Sequence, residues 1–262
     1  MFDAHIHLQD PRIAGVLADV IRRAAEAGVT GVCCCGTSPA DWESVNILAD
    51  ASLPFIFIPA YGVHPWHARD LPPDWVDTLE ARLDGSPVSV LGEIGLDGLR
   101  NDVPADIQER VLIQQLELAE QTSRPVILHG ARAWGRLVDV LKPHAKRLPG
   151  FVVHGFGGSS EILKRILNLG GYVSFAGSVC NPQAANIRAV AREIPGSQIL
   201  VETDTPDLFP QGGIPAAIGA NGKPFNQPAN LKRVLDEVAA LRGTTPEALS
   251  DLTGANARRV FL

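Results

Sequence analysis

Short apolar runs rich in Val, Ile and Phe recur eight times along the chain, at residues 2–7, 31–35, 55–63, 88–94, 126–129, 151–154, 171–175 and 198–202. Longer amphipathic stretches separate each run from the next. Strands that alternate with helical patterns build βα units around a parallel sheet, because a parallel neighbour is reached only through a crossover. Eight such units match a (β/α)8 barrel, whereas an open doubly wound sheet usually has fewer strands and often a Gly-rich phosphate turn after the first. Here the first run ends in histidines. The expected fold is therefore an α/β TIM barrel, a single domain over residues 1–262, with a short helical extension at its C-terminus.

The clearest helix is predicted over 106–122, where Val111, Leu112, Gln115, Leu116 and Ala119 repeat at helical spacing before Arg124 and Pro125. A second starts near Pro228, carries Leu231, Val234, Leu235 and Val238 on one face, and closes at Gly243. Segments 245–252 and 256–261 are read as a final helical pair. The stretch 206–228, rich in Gly, Pro and Asn, is too long for an ordinary connection and is expected to form a functional loop over the barrel mouth.

With 29 acidic and 23 basic residues the net charge is -6, which excludes polyanion binding through the overall field and leaves only local contacts. The clusters Arg22-Arg23, 142–147 and Arg258-Arg259 fall on outer helices and read as solvated faces. The start MFDAHIHLQD has no basic, apolar leader, and no run approaches the roughly 20 apolar residues of a membrane span, so a cytoplasmic protein without membrane contact is expected. Cys33, Cys34 and Cys35 lie on one strand and point to alternating faces, so they cannot converge on one metal. They read as small buried residues in a reducing compartment.

Residues two apart on a strand share a face, so His5 and His7 project together into the barrel interior. Alone, such a pair is a weak signal. But Glu93, His129, His154 and Asp204 also stand at or just past the ends of apolar runs. Structural strand ends have no reason to collect imidazoles and carboxylates, whereas the C-terminal face of a barrel is where active sites lie. Six N and O donors without a thiolate suit Zn, Mn or Mg, and they exceed one cation's usual share. Two divalent ions bridged by one carboxylate is the economical arrangement, with Glu93, central in strand order, as the bridge.

These residues lie within motifs that resemble, in order and across nearly the whole chain, the metal-dependent hydrolases of the TatD type among the amidohydrolase-like barrels. The motifs are DAHIH, YGVHPWHA at 61–68, GEIGLD at 92–97, PVILH at 125–129, VVHGFGGS at 152–159, LVETDTP at 200–206, and the endings NQPANL and TGANARRVF. The resemblance implies that His5, His7, Glu93 and Asp204 hold one ion while Glu93, His129 and His154 hold the other. It further implies a phosphodiesterase, typically a deoxyribonuclease, in which Asp204 orients or deprotonates the attacking water and His64 stabilises charge on the scissile group. The chain departs from the family pattern on the substrate side. His129 is followed by Gly and Ala with Arg132 displaced by one, His154 by Gly-Phe-Gly-Gly, the Asn-Glu-Pro near the last helix becomes Asn226, Gln227 and Pro228, and the preceding basic residues are reduced to Lys223.

His67 and Arg132 complete the candidate substrate contacts, His67 weighed against a solvated surface histidine. Glu202, two before Asp204, is expected to support a ligand from behind by a hydrogen bond. Asp97, Arg100 and Trp134 are placed on loops, where the ordinary reading is solvation. His144 fits a helix C-terminus. The partner expected is DNA or a small phosphodiester, held locally by a monomer or weak homo-oligomer. The rival chemistry is hydrolysis of an amide, lactone or aminoacyl ester by the same kind of site, and the non-enzymatic rival is a scaffold that keeps its metals for stability.

Overall fold

The apolar runs pair in chain order into one parallel sheet, β1 (Phe2–Ile6), β2 (Gly31–Cys35), β3 (Ile56–Tyr61), β4 (Val90–Asp97), β5 (Val126–Ala131), β6 (Phe151–Val153), β7 (Tyr172–Phe175) and β8 (Ile199–Val201). In this computed structural model residues 1–100 and 102–262 are described. The seam between β8 and β1 is closed just past the strands: Asp204 N–H donates to the His5 carbonyl at 3.0 Å, and His7 N–H to the Thr205 carbonyl at 2.7 Å. Deeper in the seam the buried Asp3 carboxylate receives Thr203 N–H at 2.9 Å. The result is a (β/α)8 barrel.

Helices α1 (Leu17–Glu26), α2 (Trp42–Ala49), α3 (Trp75–Asp84), α4 (Ala105–Gln121), α5 (Trp134–Leu141), α6 (Ser160–Asn168), α7 (Ala185–Glu193) and α8 (Leu231–Arg242) surround the sheet. Their buried stripes, such as Val111, Leu112, Gln115, Leu116 and Ala119 on α4, face the strands. Gly243 ends α8 in the left-handed region (φ 64), where a glycine carries no Cβ penalty.

The two C-terminal segments expected at 245–252 and 256–261 are one helix, α9 (Pro246–Phe261). Thr245 caps it through its side chain and Pro246 sits in the first turn, where a missing N–H costs nothing. The Thr-Gly-Ala-Asn stretch reads as a break, but Asn256 turns its amide onto the Gly196 and Ile199 carbonyls at 2.8 and 2.9 Å. That packing offsets the roughly 1 kcal/mol that Gly254 costs inside a helix.

This helix closes the N-terminal end of the barrel. Ala257, Val260 and Phe261 join an inner core of Phe2, Ala4, Cys33, Cys35, Ile58, Ala60, Val90, Ile127, Val152 and Leu200. Cys34 packs outwards in the larger layer between strands and helices, as alternation requires. With one end plugged by apolar side chains, the polar residues of the interior are confined to the other. Among the described residues no helix is long and apolar enough to cross a membrane.

Candidate metal centre

The polar end gathers the strand-end residues at one point. His5 is fully buried on β1 and His7 follows that strand, their Nε2 atoms 3.1 Å apart. Pairing registers shift between Asp3 and Ile6 on β1 and between Leu91 and Ile94 on β4, bracketing His5 and Glu93. Irregularities of this kind re-aim side chains beside active sites. Asp204 arrives from a tight turn after β8, with Asp207 N–H bonded to its carbonyl at 2.7 Å and its own backbone at φ 56. Aspartate is among the few residues that enter this region at modest cost.

Four donor atoms surround a first position. His5 Nε2 lies 3.3 Å from Glu93 Oε2 and 3.4 Å from Asp204 Oδ1, and His7 Nε2 lies 3.4 and 3.6 Å from the same two oxygens. Atoms bound at about 2.0–2.2 Å to one tetrahedral cation stand about 3.3–3.6 Å apart, so the set fits a divalent ion. The other oxygen of Glu93 addresses a second position. Oε1 lies 2.9 Å from His129 Nδ1 and 2.7 Å from His154 Nε2, with those nitrogens 3.2 Å apart.

The far nitrogen of each of these imidazoles is also engaged. His7 Nδ1–H donates to the Cys35 carbonyl at 2.7 Å, which makes Nε2 the nitrogen whose proton a cation displaces. Asp97 Oδ2, 3.3 Å from His129 Nε2, does the same for His129 Nδ1. Glu202 Oε1 faces His154 Nδ1 at 3.4 Å, and the Cys35 thiol lies 3.2 Å from His5 Nδ1. Such partners fix the tautomer and raise ligand basicity. Glu202 itself is buried and receives Gly155 N–H at 2.7 Å and the Ser174 hydroxyl.

Burial pushes the Glu93 carboxyl up, but the imidazoles of His154, His64 and His5 outweigh it and hold the group well below the ordinary range. Burial and the neighbouring His154 push His5 down to about 4. His7 moves the other way: its burial is overcome by Asp204 and Glu93, which take it to about 9. A cation entering the first position therefore displaces a proton from His7.

His64 stands just after β3 with Nε2 3.4 Å from Glu93 Oε1. Its Nδ1 accepts Trp66 N–H at 3.2 Å, so the neutral ring carries its proton on Nε2, facing the site as a donor. Burial pushes its pKa down to about 4. Two glutamines of α4 hold this rim: Gln115 receives Val63 N–H at 2.7 Å, and Gln108 receives Asp97 N–H at 2.8 Å.

A cavity of about 510 Å³ opens over both positions and is lined by His7, His64, His67, Glu93, His129, His154 and Asp204 together with Arg12, Trp66 and Leu208. His67 is exposed at its edge. Arg132 is exposed at φ 50 and does not line it. The arginine at the cavity is Arg12, bound on one side by Asp10 and on the other by Asp207. Asp97, read from sequence as a loop residue, ends β4 and supports His129; a strand three residues longer at its end was the missing signal. Arg100 rests on Trp66 and pairs with Asp102, Trp134 packs on Phe156, and His144 bonds Glu120. The 206–228 loop contributes Asp207 and Leu208 to the cavity and is tied down by the buried Asn226, whose amide reaches the Thr203 carbonyl at 2.8 Å.

A family model described as TatD related DNase matches residues 2–262. A protein of Erwinia billingiae (strain Eb661) named 3'-5' ssDNA/RNA exonuclease TatD is 35% identical over 262 residues, covering 100% of this chain and 98% of that one. Its namesake in Yersinia pseudotuberculosis serotype O:3 (strain YPIII) is 36% identical over 269 residues, covering 100% and 99%. The crystal structure of a TatD homologue from Escherichia coli K12 superposes with a TM-score of 0.89 at 31% identity, covering 100% of this chain and 97% of the other.

Proposed function

Because the chain belongs to the TatD related DNase family, we propose that it is a 3'-5' exonuclease on single-stranded DNA that works with two divalent cations. The observation that carries this reading is the division of Glu93 between two donor clusters, Oε2 towards His5 and His7 and Oε1 towards His129 and His154. His5, His7, Glu93 and Asp204 would hold one cation, and Glu93, His129 and His154 the other. Such a pair supplies positive charge opposite the charge that develops on phosphorus and lowers the pKa of a water.

The chain's own residues do the rest. Asp204 directs Oδ1 at the first cluster and lines the cavity. Its second oxygen accepts the proton of the water that adds to phosphorus as the bond to the leaving nucleoside oxygen breaks. His64 donates a hydrogen bond from Nε2–H to a phosphoryl oxygen, the role left to it by the commitment of Nδ1 to Trp66. The buried supports Asp97, Glu202 and Cys35 keep the imidazoles oriented through turnover. We take the protein to act as a cytoplasmic monomer or weak homo-oligomer.

The test is degradation of a 5'-labelled single-stranded oligonucleotide by metal-stripped protein resupplied with Mg, Mn or Zn. Stepwise shortening from the 3' end that His5→Ala abolishes is expected. Tight metal binding with no shortening in any of the three would overturn the reading and move the search to carbonyl substrates.

A further inference from the structure

Beyond the two cations proposed above, the cavity has little positive charge with which to hold a nucleic acid. Arg12 is the one arginine or lysine among the described residues that line it, and its guanidinium is already shared by Asp10 and Asp207 at 2.7 to 3.0 Å. A strand bound here must draw on something besides phosphate contacts.

Trp66 offers it. The residue is 44% exposed and forms part of the wall of both the 510 Å³ cavity and a neighbouring one of about 430 Å³. Its polar groups are committed: Nε1–H donates to Asp97 Oδ2 at 2.6 Å, and its backbone N–H to His64 at 3.2 Å. The Arg100 guanidinium covers one face, its carbon 4.8 Å from the ring centre, so the exposed remainder of the ring is what a flat ligand can meet. An indole so fixed loses little freedom when a flat ligand meets it. Scattered apolar side chains are ordinary on a surface. This one is held rigidly from its polar edge, between two cavities, and next to residues that face the reacting group.

We propose that Trp66 is a stacking platform for an unpaired base adjoining the scissile phosphodiester, and that the enzyme prefers single strands through this ring. The proposal rests on the nuclease reading above. Every base has a π-face, so the contact tolerates sequence while rejecting paired bases. Base–aromatic stacking corresponds to about 5- to 150-fold in affinity per base, about 1–3 kcal/mol.

Trp66→Ala and Trp66→Phe are compared with the wild type on oligonucleotides that are intact or lack the base at the last or the penultimate position. In Trp66→Ala, KM on the intact strand is expected to rise about 5- to 150-fold with kcat little changed, and Phe to restore most of it. One of the abasic strands is expected to cost the wild type the same factor and to cost Trp66→Ala nothing more. Equal loss on intact and both abasic strands would assign the effect to Asp97 and His129 behind the ring and overturn the platform, as would no loss at all. Binding is read independently by tryptophan fluorescence of the metal-loaded protein with an oligothymidylate ended by methylphosphonate linkages. Trp42 and Trp75 are buried, and Trp134, half-buried against Phe156, is replaced by Phe in every sample, so quenching is expected with Trp66 present and lost in Trp66→Phe. If the wild type cleaves no oligonucleotide, the nuclease reading falls and the quench alone decides: its absence, or its persistence in Trp66→Phe, overturns the platform.

Discussion

Replacing Glu202 by Gln removes one negative charge from behind the second cluster while leaving the packing almost intact. Glu202 Oε1 receives Gly155 N–H at 2.7 Å and faces His154 Nδ1 at 3.4 Å, while Oε2 receives the Ser174 hydroxyl. A glutamine keeps an acceptor for Gly155, and the Ser174 hydroxyl can rotate to accept from the new amide. The fold is therefore expected to lose no more than about 1 kcal/mol. What changes is the charged acceptor that orients and enriches His154. Loss of such support costs about 10- to 100-fold in metal affinity, or about 1.4–2.8 kcal/mol. Glu202 touches no ligand of the first cluster, so the loss falls on one binding step. Titration of metal-stripped wild type and Glu202→Gln against a competing chromophoric chelator resolves the two steps. One step is expected to shift by that factor while the other stays within a few-fold. Equal weakening of both, or no change in either, would refute the assignment of His154 and its support to a separate position.

Three other outcomes follow from the geometry. Asp204→Asn is expected to retain most bound metal, because Glu93, His5 and His7 remain, but to lose at least about 100-fold in kcat as the proton acceptor disappears, checked by paired metal analysis and oligonucleotide turnover. Phe261→Ala removes a buried ring that stacks on Phe2 with centroids 6.1 Å apart; a loss of about 3 kcal/mol in urea unfolding is expected, with kcat of the folded enzyme unchanged because the plug lies at the far end of the barrel. Burial pushes the Glu237 carboxyl up, but Arg188 at 2.6 Å and Arg233 at 2.8 Å hold it below its ordinary value. Its contribution to stability is present above the unfolded pKa of about 4.3 and fades as pH falls, so Glu237→Gln is expected to cost about 1 kcal/mol at pH 7 and less at pH 4 in the same assay.

Barrel topology and the gathering of the six candidate donors were legible because both follow from short-range pattern. The apolar runs mark strands, and a strand end in this fold points at the mouth whatever the rest of the chain does. His5 and His7 needed only alternation, and Glu202 only its spacing from Asp204. The supports of the ligands were less legible, since they join residues far apart in sequence. Nothing local places the Cys35 thiol against His5 or Asp97 between Trp66 and His129. Arg132 and Arg12 show the same limit for the substrate side. Arg132 directly follows β5, a favourable place by sequence, but it is exposed and turned through a positive φ. Arg12 has the sequence context of an ordinary loop residue and gains its position only because Asp207 meets it across the mouth. The C-terminal helix misled for a different reason. Gly254 and Asn256 are breakers in isolation, and only the carbonyls beneath Asn256 make the helix continuous.

Metal content after equilibrium dialysis, measured by mass spectrometry on wild type and Glu93→Ala, tests the bridge most directly. The division of Glu93 between two clusters calls for about two divalent ions per chain in the wild type and at most about one, weakly held, in the variant, with turnover lost. Full occupancy with retained activity in Glu93→Ala would contradict it.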